Sequence, residues 1–382
     1  LGEYFTFEVP GFKFMPQYRN RVWDGKIRLF SYATGQIYAG LYPYIVDWCT
    51  KNNVQIVDGT KIKDVPMSAE DTNRFLKALR IPKITIRDYQ AEAFVHAIKK
   101  GRCLLLSPTA SGKSLIVYLM LIYNLLRLKE KKNDKILIIV PTTSLVEQLY
   151  KDFKDYGYNS DRNVHRIYQG HEKETNKRVI ISTWQSVYNL PKKWFQQFGM
   201  VIGDEAHLFQ AKSLTKIMES LTEVKYKIGT TGTLQETKTH KLQLEGMFGP
   251  AYFVTTSSDL MTEGTLAQLD IQALVLSYCD EERKLVSKMT YQEEMDWIVR
   301  NEKRNTFINN LVKDLKGNTL VLFQFVEKHG KPLFKMLNKL DRKVFFVFGG
   351  TDAVDREKVR EIVEKEKDAV IVASFGTFST GI

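Results

Sequence analysis

The sequence predicts an α/β protein built on doubly wound parallel sheets, with a small α+β region ahead of them. Three observations predict it. From about residue 84 to 253, short apolar runs alternate with longer stretches able to form crossover helices; a second, shorter series of the same kind begins near residue 320; and residues 1–80 follow a different pattern, short aromatic and basic runs broken by Pro and Gly. Parallel strands need long crossovers, and strands buried on both faces read as continuous apolar runs rather than alternating ones.

In residues 1–80, Phe5, Phe7, Phe12, Phe14, Tyr18, Trp23, Ile27 and Leu29 are punctuated by Pro10, Gly11, Pro16, Gly25, Gly35 and Gly40, which predicts a small strand-rich module. A helix closes it, starting at Ser68 as N-cap with Asp71 in its first turn and stopping near Leu79 ahead of Pro82. Residues 81–255 form the first α/β domain, with strands at 103–106, 136–140, 179–182, 200–203 and 227–229. Residues 256–315 read as helical or irregular sequence between domains. Residues 316–382 are part of a second α/β domain, with strands at 320–325, 344–348 and 370–373. No tandem repeat or low-complexity tract interrupts this order.

At 382 residues and 43% hydrophobic, the chain can bury two or three cores. Its formal net charge of +12 predicts an acidic partner, a polyphosphate or a nucleic acid. Cys49, Cys103 and Cys279 are scattered without metal-ligand spacing, which predicts a reducing compartment and no structural zinc. The most apolar stretch, 115–126, is too short to span a bilayer and contains Tyr118, Tyr123 and Asn124, so it reads as a buried helix. No secretory leader pattern opens the chain, and a cytoplasmic protein with no membrane partner is expected.

Residues 107–114 read S-P-T-A-S-G-K-S between an apolar run and that helix. A strand feeding such a loop into a helix N-terminus presents unpaired N–H groups and a positive dipole end to phosphates. Gly112 permits close backbone approach, Lys113 brings a point charge to the β/γ-phosphates, and Ser114 offers a hydroxyl to Mg²⁺. Ser107 stands where the full pattern has Gly, and G-K-S alone also fits a solvated helix cap. Residues 200–202 are an apolar run ending in Asp204-Glu205-Ala206-His207. Asp204 would hold Mg²⁺ and Glu205 would orient and deprotonate a water, whereas Asp and Glu by themselves also suit the first turn of a helix. The phosphate loop upstream favours the catalytic reading.

The ordered set of motifs resembles the superfamily 2 helicases over nearly the whole chain. Arg87-Asp88-Tyr89-Gln90 resembles the adenine-reading Q motif, residues 141–148 motif Ia, 182–186 motif Ic, Thr231-Gly232-Thr233 motif III, 319–325 motif IV and 373–382 motif V. The resemblance implies RecA-like motor domains, the second truncated, that use ATP and Mg²⁺. It implies nucleotide contacts from Arg87, Gln90, Thr109, Ala110, Ser111, Gly112, Lys113 and Ser114, metal ligation by Ser114 and Asp204, and catalysis by Lys113, Asp204, Glu205 and His207. Thr143, Gly170, Thr183, Gln185 and Thr377 are the implied grips on nucleic-acid phosphates, each of them also an ordinary cap or turn residue. Residues 5–8 and 23–29, with 254–260 and 291–294, resemble the phage recombination-repair helicases within that superfamily. This implies an ATP-driven enzyme, acting as a monomer, on single-stranded and branched DNA or RNA–DNA hybrids. The arginine-bearing motif VI would lie beyond Ile382, so the chain as given is expected to bind ATP and hydrolyse it poorly.

Between Gly11 and Phe30 the cations Lys13, Arg19, Arg21, Lys26 and Arg28 meet one acid, Asp24, and alternate with Phe12, Phe14, Tyr18 and Trp23. The aromatics are expected to be mostly core, with Arg19, Arg21 and Lys26 contacting DNA. The same motor could serve an RNA helicase, or a nucleotide-gated binding module with little turnover. A small-molecule kinase would have no use for motif III or the second α/β unit.

Overall fold

The computed structural model describes residues 1–60, 64–82, 84–127, 133–234, 238–351 and 353–378. Two units partition the chain, Leu1–Leu269 and Asp270–Ile382.

Unit one opens with a short antiparallel ladder of β1 (Thr6–Glu8) and β2 (Lys26–Arg28), and then builds a sheet from β3 (Arg102–Leu106), β4 (Lys135–Val140), β5 (Val164–Ile167), β6 (Val179–Thr183), β7 (Phe198–Asp204), β8 (Tyr226–Thr231) and β9 (Ala251–Phe253). Their order is β5-β6-β4-β7-β8-β3-β9, and every pairing is parallel. All seven C-terminal ends therefore fall on one edge, where ligands of open α/β sheets bind.

The five interior strands, β6, β4, β7, β8 and β3, are buried almost throughout because both faces are covered. Ile136, Ile138 and Val140 of β4 enter one core, with the helices Asp88–Lys100, Lys113–Arg127 and Thr143–Asp155; Leu137 and Ile139 enter the other, with Phe209 and the helix Lys212–Ser220. Cys103 and Leu105 of β3 divide from Leu104 and Leu106 in the same period-two manner. The helix Ala69–Ala78 starts where the sequence places it, with Ser68 Oγ accepting from the Asp71 N–H at 3.0 Å. The edge strand β5 and the short β9 are not visible in the sequence: β5 reads V-H-R-I, with two polar residues in four, and β9 has only three residues.

The first residues differ from expectation. Beyond two three-residue strands and a Phe30–Ile37 bridge they form helical turns, so the region is mixed rather than strand-rich. Its core is Phe5, Leu29 and Leu41 closing on Leu242 of the helix Lys238–Phe248. Gly40 makes that approach possible, since a Cβ there would lie 1.9 Å from the Glu245 carbonyl oxygen. Phe12, Phe14, Tyr18 and Trp23 are not in this core, and Phe14 is 77% exposed. They sit on the turns Phe12–Phe14 and Pro16–Arg19 and the chain that follows, which are too short to bury a face of their own.

Unit two holds the parallel sheet β10 (Thr319–Phe323), β11 (Val344–Val347) and β12 (Val370–Ser374), in the order β10-β12-β11, around Val312, Phe323, Leu337, Val370 and Val372. Helices Asp280–Val286, Tyr291–Arg300 and Glu302–Asp314 precede it. The architecture is thus two RecA-like parallel-sheet motor domains, the second smaller, behind a small mixed N-terminal region. Among the described residues no helix is long and apolar enough to cross a membrane.

Candidate nucleotide and nucleic-acid site

The loop after β3 turns through Ala110 and Gly112, both left-handed at φ 66° and 77°. Glycine suits 112: the backbone there is left-handed, and a Cβ would come within 2.4 Å of Gln90 Nε2, displacing that amide from its place. Ser107, the departure from the usual glycine, closes the loop from inside. Its hydroxyl lies 2.6 Å from Ser111 Oγ, which in turn donates to the Pro108 carbonyl at 2.6 Å. Thr109 and Ala110 are exposed at the tip. Among the described residues no acceptor meets the N–H groups of Gly112, Lys113 or Ser114 at the head of the helix Lys113–Arg127. Such a nest of amides beside an ammonium is a donor set suited to phosphate oxygens.

Gln90 is buried and braces this loop. Its Nε2 donates to the Ser111 carbonyl at 2.9 Å, and its Oε1 accepts from the Arg87 N–H at 3.0 Å. Both ends of the amide are therefore engaged within the protein. The Arg87 guanidinium donates to Tyr89 Oη at 2.9 Å.

The acids arrive from β7, two strands away across β8. Asp204 is its last residue, and Oδ1 accepts from Thr230 Oγ1 at 2.7 Å. Burial pushes the Asp204 carboxyl up, opposed by the charge of Lys113 and the Thr230 bond. Glu205 follows at φ 49°, a left-handed turn that throws its side chain toward the loop. Lys113 Nζ donates to Glu205 Oε1 at 3.2 Å, and Glu205 Oε2 lies 3.3 Å from His207 Nδ1. The His207 bond and then the Lys113 charge hold the Glu205 carboxyl below the usual carboxylate range, against its burial. His207 Nδ1 also lies 3.0 Å from Thr231 Oγ1, which donates to the Thr233 carbonyl, and the Ser107 N–H donates to the Thr231 carbonyl at 2.8 Å. Phosphate loop, acidic box and motif III are thus joined by bonds.

Ser114 does not face the acids. Its hydroxyl lies 2.8 Å from Tyr156 Oη, on the residue that caps the helix Thr143–Asp155. Among the described residues no group of three or more His, Cys, Asp or Glu could hold a metal. One carboxylate and one hydroxyl, completed by phosphate oxygens and water, is a donor set that suits Mg²⁺ rather than a protein-caged ion.

The predicted nucleic-acid residues follow β4, β5 and β6 on the same sheet edge. Thr143 begins its helix and is exposed, Gly170 takes φ 86° in open space, and Gln185 is exposed with Nε2 3.4 Å from the Pro141 carbonyl. Thr183 differs: it is buried, with its hydroxyl 2.9 Å from Ser186 Oγ. Thr377 lies in the turn Phe375–Phe378 after β12, and residues 379–382 of the motif V resemblance lie outside the described residues. Arg19 and Arg21 share a cleft with Lys13, while Lys26 stands on β2 outside it. Sequence reasoning missed Thr230 and Tyr156. Thr230 adjoins motif III and was findable there; Tyr156 is 42 residues from Ser114 and belongs to no pattern.

Several known proteins are similar to this chain. Residues 1–58 match the family described as "DNA helicase UvsW, N-terminal", and residues 83–236 the family "Type III restriction enzyme, res subunit". The "ATP-dependent DNA helicase uvsW" of Enterobacteria phage T4 is 36% identical over 394 residues, covering 100% of this chain and 77% of the relative. The "DNA 3'-5' translocase XPB2" of Sulfurisphaera tokodaii is 26% identical across 53% of this chain and 43% of its own length. The crystal structure of T4 UvsW is 34% identical, covers 100% of this chain and 76% of that one, and superimposes with a TM-score of 0.60. S. cerevisiae Dbp5 bound to RNA and ADP BeF3 shares the fold alone: 14% identity, 82% of this chain and 75% of that one, TM-score 0.52. With these residues in these places and likeness at this level along its whole length, the chain belongs to the superfamily 2 helicases, in the UvsW family.

Proposed function

We propose that this protein is an ATP-driven DNA helicase or translocase that remodels branched DNA, such as forks, recombination junctions and displacement loops. The observation that supports it most is the division of one sheet edge: the phosphate loop and acids follow β3, β7 and β8, and the exposed Thr143, Gly170 and Gln185 follow β4, β5 and β6. Fuel and track would then lie side by side on a single rigid element. In this division of labour residues 1–80 are an accessory DNA-binding domain, 81–255 the first motor domain, 256–315 the segment between domains and 316–382 part of the second.

Lys113 would exchange Glu205 for the β/γ-phosphates, and the loop amides would hold the remaining phosphate oxygens. Losing the ammonium removes one of the influences that keep Glu205 acidic, so the carboxylate becomes a better base for an attacking water as the nucleotide seats. Asp204 and Ser114 would hold Mg²⁺, which when bound neutralises charge developing on the phosphates. His207 and Thr231 would pass the state of the acidic box to motif III, because their bond joins the two loops.

The test is the rate of ATP hydrolysis against single-stranded DNA, linear duplex, forked DNA, a four-way junction and RNA of matched length. Greatest stimulation by forked or junction DNA is expected. Equal or greater stimulation by RNA would move the assignment to an RNA helicase.

A further inference from the structure

Beside the small ladder of unit one lies a cleft of about 500 Å³ lined by Lys13, Tyr18, Arg19, Arg21, Val22 and Trp23. That volume is inside the roughly 300–1,000 Å³ of sites that take a single small ligand, and far below what a duplex occupies. Its rings are fixed in place. Trp23 Nε1 donates to the Lys26 carbonyl at 2.9 Å, which spends the indole's one donor on the protein and leaves its π face as the available surface. Tyr18 stands edge-on to Phe12 at 4.7 Å, and Phe12 packs where a Cβ on Gly25 would meet its ring at 2.2 Å. The cations have no acidic partner: among the described residues neither Lys13, Arg19 nor Arg21 has an ion pair, Lys13 Nζ lying over the Phe12 ring 5.9 Å from its centroid, while the one acid of the cleft, Asp24, is paired with Arg28. Arg21 is held at φ 56°, a left-handed conformation that residues with side chains rarely adopt. Val22, 79% exposed, adds an apolar rim.

We propose that this cleft captures one unpaired nucleotide where nucleic-acid strands part, its base on the Trp23 and Tyr18 rings and its flanking phosphates on Lys13, Arg19 and Arg21. The proposal rests on the reading of the chain as a motor for branched DNA, and gives the accessory region the task of marking the branch point. A fully paired duplex offers phosphates to such a site but no open base face, because stacking covers both faces of each pair. Cations alone would suffice for duplex; fixed rings beside them have a match only in an unstacked base.

The experiment is equilibrium binding of the full chain, without nucleotide, to a DNA fork carrying 2-aminopurine or an abasic residue at successive positions through the branch, with single-stranded DNA, linear duplex and an RNA fork as further arms. Binding should change 2-aminopurine emission at one or two branch positions only. An abasic residue there should weaken binding about tenfold. Trp23→Ala should lose the same tenfold and become indifferent to the abasic residue, while Trp23→Phe keeps the response. The paired variant Arg19→Ala with Arg21→Gly should lower the salt slope, and it also relieves the left-handed residue, so misfolding is not its expected outcome. Abasic residues that are harmless at every branch position, or Trp23→Ala binding the fork as tightly as the unaltered chain, would overturn the proposal. An equal response on the linear duplex would overturn it too. Because no ATP is present, failure of ATP-driven remodelling and failure of the cleft are separate results.

Discussion

Ser114 Oγ and Tyr156 Oη lie 2.8 Å apart, so the hydroxyl proposed as a metal ligand is held by the neighbouring helix instead. Tyr156 is itself fixed, with the Tyr118 ring 5.2 Å away. Metal ligation by Ser114 must break this bond. Tyr156→Phe keeps the ring and removes one of the two partners of the Ser114 hydroxyl, the Asp152 carboxylate being the other, and a neutral hydrogen bond contributes about 0.5–1.5 kcal/mol. The Mg²⁺ concentration that half-maximally strengthens ADP binding should then fall by roughly two- to tenfold. Calorimetric titration checks it, and a midpoint unmoved both in Tyr156→Phe and in Tyr156→Phe combined with Asp152→Ala means that Ser114 does not switch partners.

Lys113 and Glu205, 3.2 Å apart, make separable predictions. Lys113→Ala removes the charge offered to phosphates and should abolish both tight ATP binding and turnover. Glu205→Gln keeps the size and a hydrogen-bonding end but cannot take a proton. It should bind ATP while slowing hydrolysis by about 10²–10⁴-fold. Phosphate release and nucleotide binding measured on the same samples distinguish the two, and near-normal turnover by Glu205→Gln would remove it as the base.

Lys227 supplies a pH dependence. Its Nζ donates to the Met218 carbonyl at 3.1 Å near the end of the helix Lys212–Ser220, and burial, with Arg102 nearby, pulls its pKa from 10.5 down to about 7. Below about pH 7 the lysine is charged in both folded and unfolded chains, and the fold bears the full cost of the buried charge. From there to 10.5 the unfolded chain holds the extra proton, so this group's contribution to stability rises with pH. Lys227→Met should flatten that rise in urea midpoints measured between pH 7 and 9, and an unchanged slope would refute it.

Arg342 anchors unit two. With 7% of its side chain exposed, it donates to the carbonyls of Val312 at 2.7 Å, Leu315 at 3.2 Å and Gly317 at 2.6 Å, and lies 3.0 Å from Asp368 Oδ1. One planar cation therefore ties the end of the helix Glu302–Asp314 to the starts of β10 and β12. Arg342→Met should destabilise residues 270–382 by about 3 kcal/mol or more, because several carbonyls lose a charged donor together. Arg342→Lys should recover little, lacking the fork. Hydrogen exchange in β10 and β12 reports the loss.

Eight strands of the two parallel sheets were legible as apolar runs: five in unit one because burial on both faces leaves an unbroken signal, and three in unit two whose residues are apolar although Leu320 and Leu322 of β10 stay exposed. The strand β5 was not, since an edge strand tolerates His165 and Arg166; nor was the N-terminal core, where aromatic content misled. Phe5 is buried and Phe14 exposed although both sit among similar neighbours, because only the first meets Leu242 of a helix more than two hundred residues later. Similar limits apply at the site. Gly112, Lys113, Asp204 and Glu205 announce themselves by residue type and spacing, whereas the commitment of Gln90 to Ser111, the burial of Thr183 and the bond from Ser114 to Tyr156 do not.

By itself the sequence marked the candidate phosphate loop and acids and the strands they follow, because backbone periodicity, loop glycine and paired acids act over a few residues. Tertiary structure decided which of those groups are at liberty. Strand order brought β3 and β7 to either side of β8, so that Lys113 met Glu205, and helix packing gave Ser114 a tyrosine partner. A side chain's partners depend on who arrives beside it in space, and adjacency across a parallel sheet is set by crossovers whose destination no local pattern encodes.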